Sequence, residues 1–215
     1  VPTLFESIAA PLNRQTAIVL ADENLLLPVL HSLLENVEDV NVTMGYPLKQ
    51  TAVYSLAELL IRLQRGCKIS GKRVKFYHKD VLSILNHQYI RLMVGGEKLD
   101  ELKKEIQDNN RIYVYQSFFG GNVFLKMIFS PVEDYKIMTG YLIDIFSNIA
   151  KVTLPDNTEE NTLRREYIYH FIKSLNQVKQ SIDTAGISIG MPVFLSLLRS
   201  VFNNLLIPFT GVPIN

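Results

Sequence analysis

Within residues 162–184, Ile168, Phe171, Leu175, Val178 and Ile182 follow one another at intervals of three, four, three and four residues. Apolar side chains so spaced form one stripe along a helix, and a stripe of that length is stable only against another helix packed along it. The chain must therefore bury helix on helix. The long helix is expected to stop at Gly186. The same rhythm recurs at Tyr135, Met138, Leu142, Ile145, Phe146 and Ile149, on a helix expected to begin at Ser130-Pro131. It recurs again at Phe194, Leu197, Leu198, Val201 and Leu205, behind Pro192, which suits a first helical turn. Leu99, Leu102 and Ile106 predict a charged surface helix over residues 99–108, and residues 112–115 read as a short strand of β-branched and aromatic side chains.

The first third of the chain has a different rhythm. Residues 17–20 are a short apolar run without alternation, which predicts a strand covered on both faces. Asp22, Glu23 and Asn24 are cap formers, and Leu26, Val29, Leu30, Leu33 and Leu34 recur behind them at helical spacing, with Pro28 near the helix start. Residues 40–44 read as a second strand stopped by a turn at Gly45-Tyr46-Pro47. Thr51 can cap a further helix whose Val53, Leu56, Leu60 and Leu63 face one way until Gly66 ends it.

This strand, helix, strand and helix, with the wording TAIVLAD, VNVTMGYPL and TAVYSLAELLIRLQ, resembles the opening of the second RecA-like lobe of UvrD-like superfamily 1 helicases. The stretch NVTMGYPL with its following threonine is most similar to the AddB-like subunits of bacterial helicase-nuclease complexes. The resemblance implies an α/β, mostly helical chain: residues 1–66 as the opening of the lobe, residues 67–206 as a mainly helical insertion, and residues 207–215 as the start of the return to the lobe. It implies a piece of a longer polypeptide that acts on DNA ends in recombination and repair in a bacterial cytoplasm. Its partners would be single-stranded or forked DNA, the remainder of the same polypeptide and a second helicase-nuclease subunit. Active relatives carry an arginine just after the first strand, where it reaches the nucleotide phosphates. Here that position is Asp22, and a carboxylate repels a triphosphate. The expectation is a lobe that does not hydrolyse ATP.

Composition agrees with a globular protein. A chain of 215 residues can bury a sizeable core without staples, and a single cysteine, Cys67, excludes an internal disulfide framework and fits a reducing compartment. No apolar run approaches the roughly 18 residues of a membrane span, so no membrane partner is expected.

Catalytic motifs are missing from the sequence: there is no Walker loop, no GxGxxG and no GxSxG. The four histidines, His31, His78, His87 and His170, lack metal-ligand spacing. A nuclease centre needs an Asp after a Pro and, downstream, a Glu-x-Lys on a strand. Pro155-Asp156 is present, but Glu101-Leu102-Lys103 precedes it and falls on a charged helix. No catalytic residue, metal or cofactor is expected.

The strongest remaining signal is charge. From Leu59 to Lys79 there are seven basic residues and no acidic one, in a chain whose net charge is only +1. Gly66 and Gly71 predict a helix end and then a loop at a domain joint. On that loop Lys68, Lys72, Arg73, Lys75 and Lys79 are candidates to hold DNA phosphates, and Phe76 or Tyr77 to stack on an unpaired base. The competing readings are a solvated basic loop, or a helical protein–protein interaction domain with no role in nucleic-acid binding.

Overall fold

A computed structural model of the chain describes residues 17–22, Leu25, Pro28, Val29, Ser32, 45–71, 73–155 and 158–207, the side chain of Glu159 excepted. The expected strand at residues 40–44, most of the first helix, and residues 1–16 and 208–215 lie outside the described residues. Contacts group residues 47–207 into one compact unit. It begins 20 residues before the boundary the sequence suggested, because the helix capped by Thr51 packs with the helical part of the chain.

Residues 17–20 form no strand, and Val19 is 90% exposed, which overturns the expectation of a strand inside a sheet. An unalternating apolar run is a buried strand only when other elements cover both its faces. That condition is not written in the run itself. After it the chain turns, the Leu25 N–H donating to the Asp22 carbonyl at 3.1 Å.

The compact unit is mostly helical, with a small antiparallel sheet of three strands and a separate two-stranded pairing. It is entered at β1 (Tyr46–Pro47), a short strand where a turn was expected. The Leu48 N–H donates to the Leu205 carbonyl at 2.9 Å, beside β5 (Leu206–Ile207), so the chain enters and leaves this unit side by side. Helix α1 (Ala52–Arg65) is capped by Thr51, whose side chain accepts from the Tyr54 N–H, and it ends at Gly66 as predicted. All four predicted inward residues, Val53, Leu56, Leu60 and Leu63, are buried.

Next come β2 (Lys68–Ser70), β3 (Arg73–Tyr77), α2 (His78–Leu85), α3 (Gln88–Val94), α4 (Gly96–Asp108) and β4 (Tyr113–Tyr115). The fold closes with α5 (Val123–Ile128), α6 (Tyr135–Val152), α7 (Glu159–Ala185) and α8 (Met191–Asn204). Eight α-helices are thus present among the described residues, and no helix there is long and apolar enough to cross a membrane.

The long helix packs along α6 as its stripe requires, with Ile168, Phe171, Leu175, Val178 and Ile182 buried and Gly186 closing it in the left-handed conformation at φ 63°. Helix α6 starts at Tyr135 rather than at Ser130, because the Asp134 side chain supplies the cap, accepting from the Lys136 N–H. On α8 the stripe is rotated from the expected one. Phe202 is buried against Phe171, ring centroids 4.7 Å apart, whereas Leu197 is 40% exposed.

Helix α1 is tied to the rest by polar groups as well as apolar ones. The buried Gln64 amide donates to the Ser130 carbonyl at 2.9 Å and accepts from the Val132 N–H at 3.1 Å. Arg199 of α8 forms a two-pronged ion pair with Glu58, 2.7 Å at its shortest, and the Tyr54 hydroxyl donates to Asn203 at 3.0 Å. Among the described residues no buried side-chain polar atom lacks a partner, so these groups anchor the helix without the penalty of an unmet donor.

Candidate nucleic-acid interface

The basic segment is a hairpin, not the loop its two glycines suggested. Ser70 pairs with Arg73 across the turn, Ile69 with Val74 and Lys68 with Lys75. A two-residue connection of this kind needs left-handed backbone, and Gly71, at φ 59°, supplies it without a Cβ penalty. The hairpin is braced at both ends. Only Gly66 and Cys67 separate it from α1, and β3 runs directly into α2, with Tyr77 as the cap residue.

The third strand, β4, joins the free side of β3 in antiparallel register: Lys75 faces Tyr115, Phe76 faces Val114 and Tyr77 faces Tyr113. Side chains alternate between the two faces of a strand, and directly opposed residues share a face. Lys68, Ser70, Arg73, Lys75, Tyr77, Tyr113 and Tyr115 therefore belong to one face, and Val74, Phe76 and Val114 to the other.

That register corrects one expectation. Phe76 is 0% exposed, its ring edge-on to Phe129 at 5.5 Å, and Phe129 in turn stacks on Phe119 at 3.6 Å. A side chain so enclosed cannot stack on a base. Tyr77 is half-buried on the outer face, 6.1 Å from Tyr113. Lys68, Arg73 and Lys79 are exposed and Lys75 is half-buried, while Lys72 lies outside the described residues. Lys79 stands on the first turn of α2 rather than on the sheet.

Sequence reasoning missed Tyr113 and Tyr115. The Tyr-Val-Tyr alternation marked a strand with two aromatics on one side, but nothing in it named β3 as the neighbour. Tyr113 is central to the electrostatics of the face. The Lys68 ammonium donates to its hydroxyl at 2.7 Å and lies 4.7 Å from its ring centroid, and the Lys75 ammonium lies 5.0 Å from the same centroid. Two ammonium groups thus share one electron-rich ring, an attraction that partly offsets their opposition across the hairpin.

No described carboxylate pairs with Lys68, Arg73, Lys75 or Lys79. Elsewhere cations are commonly matched: Arg62 with Asp80 at 2.7 Å, Lys103 with Asp100 at 2.6 Å, Arg111 with Glu105 at 2.9 Å and Arg199 with Glu58. Asp80 lies in the first turn of α2 and serves as the Arg62 partner. The outer sheet face is therefore a place where positive charge accumulates without a counterion among the described residues.

Two groups with nucleophile chemistry stand apart from this face. Ser55 Oγ lies 2.9 Å from His87 Nε2, but His87 Nδ1 accepts the Tyr89 N–H at 3.2 Å. Nδ1 is thus the unprotonated nitrogen, Nε2 carries the proton, and the ring cannot take a proton from serine. Burial lowers the His87 pKa to about 4, which keeps the ring neutral in this role of capping α3 and pinning it to α1. Burial, and secondarily Glu133, raises the Cys67 thiol above its usual range, away from the reactive thiolate. The Glu101 and Lys103 side chains are engaged with Lys98 and with Asp100 and Asn86 on the surface of α4. No metal-binding group of three or more His, Cys, Asp or Glu occurs among the described residues. Comparison with protein-family models, curated proteins and solved structures finds no match to this chain.

Proposed function

We propose that this chain is a non-catalytic DNA-holding module of a helicase-nuclease system, guiding single-stranded or forked DNA while motor and nuclease chemistry are supplied elsewhere. One observation carries the reading: the outer face of β2, β3 and β4 gathers Lys68, Arg73 and Lys75 with Tyr77, Tyr113 and Tyr115, and no described carboxylate neutralises the cations. Phosphates are the natural complement, because binding them relieves repulsion within the face and releases their counterions. The resemblance of residues 17–63 to the second lobe of UvrD-like and AddB-like proteins adds the setting: processing of DNA ends in recombination and repair in the cytoplasm. Asp22 in place of the phosphate-reaching arginine fits a lobe without ATPase activity. The partners are then DNA, the rest of the same polypeptide and a second helicase-nuclease subunit.

The test is binding of the chain to labelled single-stranded and forked DNA over a salt series. Three or four phosphate contacts at roughly 0.7 per contact give a slope of log affinity against log salt of about −2 to −3. Absence of binding at low salt overturns the proposal and favours the alternative, a helical protein-interaction domain. That alternative has its own observation, the exposure of Val193 (59%) and Leu197 (40%) on one helix, α8.

A further inference from the structure

We infer that the outer sheet face is selective for single-stranded DNA, with an unpaired base stacked on Tyr115 and the flanking phosphates held by Lys75 and Lys68. The inference rests on the DNA-holding reading and adds to it the form of the ligand and the residue that recognises it.

The three tyrosines of the face are not equivalent. Tyr113 is already engaged by the two ammonium groups at 4.7 and 5.0 Å, so its ring organises cations. Tyr77 is half-buried and packs edge-on against His78 at 4.6 Å. Tyr115 is 44% exposed on the edge strand, directly opposite Lys75. A flat ring beside a cation at a sheet edge is what a base and its phosphate require. Sequence readout by the stacked ring is not expected, since every base has a π-face.

Duplex DNA fits the same face poorly. In a duplex the bases are stacked on one another, and their faces are closed to a tyrosine. The major groove admits a two-stranded ribbon, but here β4 extends the hairpin to three strands, about 10 Å across at the usual spacing, and the exposed tyrosine sits on that added strand. A duplex could touch the cations and leave Tyr115 unused.

The experiment is fluorescence anisotropy of the full chain with a labelled oligo-dT and with a duplex of the same length, for the native protein and for Tyr115→Ala, Tyr115→Leu and Tyr115→Phe. The native chain should bind oligo-dT more tightly than the duplex. Tyr115→Ala and Tyr115→Leu should each weaken oligo-dT binding about fivefold to tenfold, the lower end for one stacked base. Duplex affinity and the salt slope should stay unchanged, and Tyr115→Phe should retain the native affinity. The leucine variant keeps apolar bulk at the position, so a loss of binding there is not a folding defect. Equal affinity for both forms of DNA, or equal weakening of both by Tyr115→Ala, overturns the stacking while leaving salt-dependent DNA holding intact. No binding of either form at low salt overturns both readings.

Discussion

The two faces of the β2–β3–β4 sheet are made by the same strands and differ only in which alternate residues they carry. On the inner face Phe76 and Val114 stand opposite each other, both buried, and the Phe76 ring meets Phe129. On the outer face Lys75 stands between Lys68 and Tyr115, with positive charge opposite positive charge. Burial of side chains such as Phe76 stabilises by about 1.5–3 kcal/mol each, whereas like charges directly opposed cost roughly 0.2–1 kcal/mol. The inner face therefore sets the register, and the outer face follows from it. A slip of one residue would expose Phe76 and drive Lys75 inward. The basic, tyrosine-bearing face is thus held in place by the core beneath it.

The largest expected effect tests the inner face. Phe76→Ala should lower unfolding free energy by about 3–5 kcal/mol, read as a fall in the denaturant midpoint, while the protein that remains folded binds DNA with native affinity. An unmoved midpoint would mean that Phe76 is not part of the core that fixes the register. Next comes the outer face. The combined Lys68→Gln, Arg73→Gln and Lys75→Gln variant loses three phosphate contacts. At 0.1 M salt that corresponds to about 100-fold weaker binding and a salt slope shallower by about 2 units. Its thermal stability should hold within about 1 kcal/mol, since the opposed charges are removed together. A variant that binds as well as the native chain would eliminate the patch.

The smallest effect lies off the sheet, at the cap of α3, and is read by pH. Burial lowers the His87 pKa to about 4 in the folded chain, against about 6.5 when unfolded. The unfolded chain then binds more protons between those values, so the stability contributed by neutral His87 is complete above pH 6.5 and is lost as pH falls toward 4. His87→Asn, which retains a capping side chain for α3, should flatten this part of the pH–stability profile, with a difference in slope of at most about 1.4 kcal/mol per pH unit. Urea titrations of both proteins at pH 7, 5.5 and 4.5 measure it. Parallel profiles would show that His87 does not titrate in this range on unfolding.

The long stripes were legible because each is a local pattern. The inward residues of α1, α6 and α7 could be named from spacing alone, and so could the Thr51 cap and the Gly186 stop. Boundaries were less legible: the cap at Asp134 outcompetes the proline at 131 in starting α6, and contact with Phe171 turns Phe202 rather than Leu197 into the core on α8. The hairpin was concealed by its glycine. Gly71 reads equally as a loop former and as the left-handed residue of a two-residue turn, and the alternation of residues 73–77 needed to be weighed with it. Of the candidate site, the cations were visible as a run. Their common face was not, because Lys68 and Lys75 are brought together by pairing across the turn and not by spacing along one element.

The sequence by itself determined that this chain buries helix against helix and that its positive charge is concentrated between Leu59 and Lys79, since periodicity and composition are properties of neighbouring residues. Only the tertiary structure decided that Phe76 faces the core, that Tyr77 does not, and that Tyr113 and Tyr115 join the cations on the outer face. Those outcomes depend on which strands pair and in what register. Residues 73–77 and 113–115 are far apart in the chain, and the apolar contacts that align them come together only when the core closes.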